Sequence, residues 1–109
     1  MGTNPQSVFV SGKYAYTANY SSSTISIIDI SNPLIPVQIA TTSVGTNPSA
    51  VFVAGRYAYT ANFGSDNISV IDISNPFAPR SIATASVGAA TAPQSIFVSG
   101  RYAYTANAI

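Results

Sequence analysis

Chemistry in this chain would have to come from few side chains. Lys13, Arg56, Arg80, Arg101, Asp29, Asp66 and Asp72 are its only charges, and histidine, cysteine and glutamate are absent. Asp29 and Asp72 are the pair available for general acid–base work, and Asp66, in the turn sequence Gly-Ser-Asp-Asn, is the one candidate to begin a calcium site. Calcium takes about six to eight oxygen ligands, so Asp66 reads instead as a solvated turn residue. The many serine and threonine hydroxyls have no imidazole or other base to activate them. An enzyme working through a central channel would need polar groups on the innermost strands, where only Gln6, Ser7, Ser11, Ser49, Gln94, Ser95 and Ser99 are offered. No catalytic residue, cofactor or metal ligand is assigned, and the chain reads as a non-enzyme.

The spacing of the charges explains them better than chemistry does. Lys13, Arg56 and Arg101 occupy one position of an internal repeat, and Asp29 and Asp72 another, whereas a catalytic group has no reason to recur in every unit. Asp29 with Asn32 and Pro33, and Asp72 with Asn75 and Pro76, are expected to close strand-end turns by accepting backbone N–H bonds. The basic residues, each directly after a glycine, suit the exposed side of a hairpin turn.

The hexapeptide YAYTAN marks that repeat at Tyr14–Asn19, Tyr57–Asn62 and Tyr102–Asn107. The third copy of the leading segment, Pro93–Asn107, differs from Pro5–Asn19 only by Ile96 for Val8 and Arg101 for Lys13. Residues 1–109 therefore read as one array with repeats 5–47 and 48–92 and a partial repeat 93–109. Copies this similar imply recent duplication, a piece of a longer array or an engineered repeat, and Met1–Gly2 resembles an expression start or a trimmed end. A period of about 40–45 residues belongs to propellers and solenoids, whose units cannot bury their apolar faces alone.

Within the second repeat, Val51–Val53 reads as a strand buried on both faces and stopped by Gly55. Arg56–Asn62 follows, Tyr57 and Tyr59 alternating with Ala58, and Ala58 and Ala61 leave room for close sheet packing. Ile68–Ile73 is a third strand, Ser74–Pro79 a turn that no ladder can enter, and Arg80–Val87 a solvent-facing fourth. No window has helical periodicity. Four short antiparallel strands per repeat make a β-propeller blade. A β-solenoid coil is the alternative, without the periodic glycine usual there.

Ile28–Pro33 (IDISNP) with Pro36, and Ile71–Pro76 with Pro79, resemble the LVIVD-type propeller repeat, an apolar strand ending in D-I-S-N-P-x-x-P. The YAYTAN strand, with SVGTNPSAVFV ahead of it, also resembles the YVTN-type repeats of surface-layer propellers. The likeness runs from Pro5 to Asn107. It implies a propeller fold and a secreted or cell-surface protein with no assigned reaction.

Two and a half blades leave two blade faces uncovered, and the expectation is a propeller incomplete in one chain and completed by oligomerisation, or a filament if the symmetry does not close. The residues expected at the inter-blade contacts are Val8, Phe9, Val10, Val51, Phe52, Val53, Ile96, Phe97 and Val98. If a neighbour's third and fourth strands complete the half-blade, each chain contributes two blades; if every strand is used, a dimer counts to about five. Tyr14, Tyr16, Tyr57, Tyr59, Tyr102 and Tyr104 are candidates for a glycan or peptide platform, against the plainer reading that they fill inter-blade space. A net charge of +1 gives no nucleic-acid footprint, and no apolar run approaches the roughly 18–20 residues of a membrane span. Low charge with abundant hydroxyls suits an extracellular or cell-surface setting. Asn19-Tyr20-Ser21 and Asn67-Ile68-Ser69 are sequons that chance explains in an Asn- and Ser-rich chain; in a glycosylating host both, lying in the turn region after the second strand, are open to modification.

Overall fold

Valine, isoleucine, threonine and tyrosine favour extended backbone, and the glycines and Asn-Pro pairs between them break it. In the computed structural model, which describes residues 3–107, ten strands result. They are β1 (Pro5–Ser11), β2 (Tyr14–Asn19), β3 (Thr24–Asp29), β4 (Val37–Ser43), β5 (Pro48–Ala54), β6 (Tyr57–Asn62), β7 (Asn67–Asp72), β8 (Arg80–Ser86), β9 (Pro93–Ser99) and β10 (Tyr102–Asn107). Met1–Gly2, and residues 108–109 of the partial repeat, lie outside the described residues.

The strands form antiparallel sheets in the orders β1-β2-β3-β4, β5-β6-β7-β8 and β10-β9. These are two blades and a half-blade, and the fold is all-β. The first strand of each sheet is longer than its VFV or IFV core, because it begins at the proline and bulges at Gln6, Ser49 or Gln94. The first hairpin of each sheet turns in two residues, with Gly12, Gly55 and Gly100 at φ values of 60°, 59° and 60°. A Cβ at any of the three would meet nothing within 4 Å, so backbone conformation, not space, selects glycine there.

The blades stack side by side, β5 lying against β1 on one side and β9 on the other. Side chains alternate across each strand, so each blade has a front face toward the preceding blade and a back face toward the next. Tyr16, Ala18, Ile25 and Ile27 on the back of the first blade meet Val51, Val53, Ala58, Ile71 and Ile73 on the front of the second. That contact is the hydrophobic core. The expected burial on both faces holds for the middle copy alone. Val51 and Val53 are 5% and 7% exposed, whereas their counterparts Val8 and Val10 are 62% and 57% exposed, because no blade lies in front of β1 among the described residues.

A polar network crosses each complete blade. The fully buried Asn62 donates from Nδ2 to Asn67 Oδ1 (2.8 Å) and Ser69 Oγ (2.9 Å), and its Oδ1 accepts from Thr60 Oγ1 (2.8 Å). Asn19 repeats the pattern with Thr24, Ser26 and Thr17. Every buried side-chain nitrogen or oxygen among the described residues has a partner. The connection from blade one to blade two runs over this network: Gly45 N donates to Ser69 Oγ (3.1 Å), and a Cβ at Gly45 would collide with the Asn62 amide.

Removing one member of a buried network strands the others. Asn62→Ala is expected to lower stability by about 2–4 kcal/mol in urea unfolding. A loss below about 0.5 kcal/mol would show that the amide is not a structural tie.

Candidate functional site

The carboxylates are occupied by turns. Asp29 Oδ1 accepts from Ser31 N (2.8 Å) and Ser31 Oγ (2.6 Å), and Asp72 Oδ1 from Ser74 N (2.9 Å) and Ser74 Oγ (2.7 Å). Asn32 and Asn75 then accept from Leu34 N and Phe77 N through Oδ1, and from Ile35 N and Ala78 N through their carbonyls, with Pro33 and Pro76 preset for the turn. The Ser31 hydroxyl and N–H hold Asp29 below the usual carboxylate value, helped by Lys13. The Ser74 N–H and hydroxyl do the same for Asp72, with Arg80 and Arg56 beyond them.

Asp66 is more than a solvated turn residue. Its two oxygens accept from Ala92 N (3.0 Å) and Ala90 N (2.9 Å), which fastens the loop before β9 to the second blade. Those N–H groups, Ala92's first, lower its pKa. The longer loop brings Ala90 and Ala92 into left-handed backbone at φ 57° and 49°. The partner residues are more than twenty positions away in sequence, so local spacing carried no sign of them.

Two of the inner serines, Ser7 and Ser49, are committed between blades, while Ser11, Ser95 and Ser99 are exposed. Ser7 Oγ accepts from Val51 N (3.2 Å), and Ser49 Oγ donates to Pro93 O (2.9 Å). Among the described residues no three carboxylates, or other metal-ligating side chains, come together. The sequon at Asn19 is not accessible in the fold, since its amide is buried and fully bonded. At the other sequon Asn67 is half-buried with Oδ1 bonded to Asn62 and Ser65. Sequence reading gave Asn19 and Asn62 no structural role, although their presence in every YAYTAN copy was the available signal.

Apolar sheet surface remains accessible behind the half-blade, at Phe97, Tyr102 and Tyr104, and in two further places. In front of the first blade lie Val8, Val10, Ala15, Ile28 and Ile30, the same positions as the buried Val51, Val53, Ala58, Ile71 and Ile73. A shallow cavity of about 370 Å³, lined by Pro5, Gln6, Ser7, Val8 and Thr17, opens on this face. Behind the second blade, β9 lies against the inner strands β5 and β6. Ile68 and Val70 are left half-buried and Ile82 is 47% exposed, while Ile25 and Ile27 at the first two positions are fully buried.

The expected contact and platform residues divide along this line. Phe9, Phe52 and Phe97 form a ladder of tilted rings with centroids 4.9 Å apart at each step. Ile96 is buried against the second blade and Val98 is half-buried, while Phe97 is exposed behind the half-blade. Tyr16 is 4% exposed in the inter-blade core, and burial, then the neighbouring Tyr14, pushes its phenol up. Tyr14, Tyr57 and Tyr59 are half-buried, and Tyr102 and Tyr104 exposed.

The LVIVD repeat matches residues 2–41, 47–84 and 91–108. No curated protein matches the chain. Among solved structures, the chain resembles Kuenenia stuttgartiensis hydrazine synthase with a TM-score of 0.81 and 26% identity, over 98% of this chain and 31% of that one. It resembles a Bacteroides uniformis protein given as a candidate 6-phosphogluconolactonase with a TM-score of 0.81 and 19% identity, over 97% of this chain and 36% of that one. A functionally unknown protein from Desulfotomaculum acetoxidans gives 0.68 and 18%, over 76% and 27%. The chain thus spans about a third of the length of these proteins or less. The hydrazine synthase and lactonase-like neighbours are propeller-type proteins, and the sheets here are β-propeller blades.

The carboxylate turns set an acid limit. A carboxyl whose folded pKa is depressed adds stability above its unfolded value, and that stability is lost as pH falls through the folded pKa. All three aspartates lie below their ordinary value of 3.8. Urea midpoints are therefore expected to stay level from neutral pH to about 4 and to fall below it. Asn at Asp29, Asp66 and Asp72 together should flatten that acid limb; an unchanged limb would contradict the assignment.

Proposed function

The chain belongs to the LVIVD repeat family, and from that starting point we propose that it is a non-catalytic β-propeller scaffold whose activity is self-association through its blade faces. One observation carries this reading: the side chains uncovered at the front of blade one and behind the outer half of blade two are those that meet and bury one another between the blades. Repetition makes front and back complementary by construction. Because the two surfaces differ, copies join head to tail, which closes into a ring or runs on as a filament.

The magnitudes support association. Each large aliphatic side chain taken from water contributes roughly 1.5–3 kcal/mol, and several lie on each open face. Two blades per chain would close a ring of about six or eight blades from three or four chains. Head-to-tail packing without closure gives the filament form.

A scaffold role also fits the polar groups. Asp29 and Asp72 accept turn N–H bonds, Asp66 accepts those of the loop before β9, and Ser7 and Ser49 bridge neighbouring blades, which leaves chemistry little to work with. The repeated tyrosines are assigned to packing, as Tyr16 is used, in preference to a glycan or peptide platform. A surface rich in hydroxyls and poor in charge supports an extracellular or cell-surface setting for such a scaffold.

Light scattering on a size-exclusion peak, over a concentration series, tests the reading. The expected masses are integer multiples of 11.3 kDa, or a concentration-driven distribution if filaments form. Ile82→Asp, a charge placed behind blade two on an exposed residue, should leave the chain folded by circular dichroism and reduce it to single copies. A wild-type mass of 11.3 kDa at every concentration would overturn the proposal.

A further inference from the structure

We propose that the partner is a second copy joined by strand exchange: β10 pairs with β3 of that copy, in the place held by the copy's own β2. This rests on the self-association reading and specifies its seat. The covering of blade two is the starting point. Its inner strands β5 and β6 are already covered by β9 of the half-blade, so an intact first blade of another copy cannot lie flat on its outer half. Some first hairpin has to give way. The incoming copy can cover Ile68, Val70 and Ile82 with β3 and β4 only if its own β1 and β2 move aside, or if β9 and β10 do.

Three observations favour keeping β9 and β10. The first is near identity: Pro93–Asn107 and Pro5–Asn19 differ at two positions, so β10 offers β3 the same ladder that β2 does. In that ladder Tyr14 faces Asp29, Ala15 faces Ile28 and Asn19 faces Thr24, which places Tyr102, Ala103 and Asn107 opposite the same three residues. The second is an unfilled polar register. Thr105 Oγ1 donates to Asn107 Oδ1 (3.0 Å), as Thr17 does to Asn19 and Thr60 to Asn62. Asn19 Nδ2 continues to Thr24 and Ser26 of a third strand; among the described residues Asn107 has no such strand beside it, and β3 of a second copy supplies those two hydroxyls.

The third is attachment. Asp66 clamps the loop before β9, Ser49 bonds Pro93 O, and the buried Ile96 fills with one more methylene the position Val8 would take. The exchange thus trades one ladder for an equal one. Its net gain is the cover over Ile68, Val70 and Ile82.

Two readouts on the full chain separate exchange from simple stacking. Chains carrying Ala103→Cys, mixed with chains carrying Ile28→Cys, should form a linked heterodimer on oxidation or with a short bis-maleimide, since these become cross-strand neighbours. The chain has no native cysteine to interfere. Val8→Asp should leave the assembly mass unchanged, because its hairpin is the one displaced. Asn107→Ala should raise the concentration needed for assembly about tenfold. Absence of the linked dimer, or collapse of Val8→Asp to single copies while wild type assembles, overturns exchange and leaves self-association standing. A wild-type chain that stays single overturns both.

Discussion

Each sheet in this molecule has two apolar faces, and water is kept from both only where another blade lies on each side. Everything else in the structure follows from that requirement. It explains why Val51 and Val53 are buried and the same residues at Val8 and Val10 are not. It also explains why tyrosine, alanine and isoleucine alternate as they do. Tyr16, Ala18, Ile25 and Ile27 make a back surface of fixed relief, and Val51, Val53, Ala58, Ile71 and Ile73 make the front surface that fits it. A repeat that satisfies itself once can satisfy itself at every junction, so the covered contact is also a template for the uncovered ones.

Stacking alone does not set the register of the blades. Hydrophobic contact is non-directional, whereas a buried amide is satisfied in few arrangements. Asn62 ties β6 to β7, and Gly45 brings the connection from the preceding blade onto the same serine. Ser7 and Ser49 make further bonds between blades near their inner strands. The apolar faces supply the drive for packing and these few polar links fix how far each blade slides along the next.

Much of this was legible from residues, because the informative features are local. Gly12 and Gly55 mark the first hairpins, Asp29 with Pro33 and Asp72 with Pro76 mark the turns, and β-branched runs mark the strands. The open and closed faces were not legible in the same way. Val8 and Val51 are the same residue in nearly the same context, and only the presence of a neighbouring blade separates them. Asn19 could be read as a glycosylation sequon because its burial depends on Thr17, Thr24 and Ser26 folding over it. The clamp from Asp66 to Ala90 and Ala92 spans a whole strand and loop, a distance at which one sequence offers no pattern.

Under the self-association proposed above, folding and association are one process: a chain whose faces are covered should resist unfolding more than a chain alone. The direct measurement is the urea midpoint of the wild-type chain over about a hundredfold range of protein concentration. With association coupled to folding, the midpoint should rise steadily with concentration. A midpoint that does not move would contradict that coupling, because the open faces would then contribute nothing to the stability of the fold.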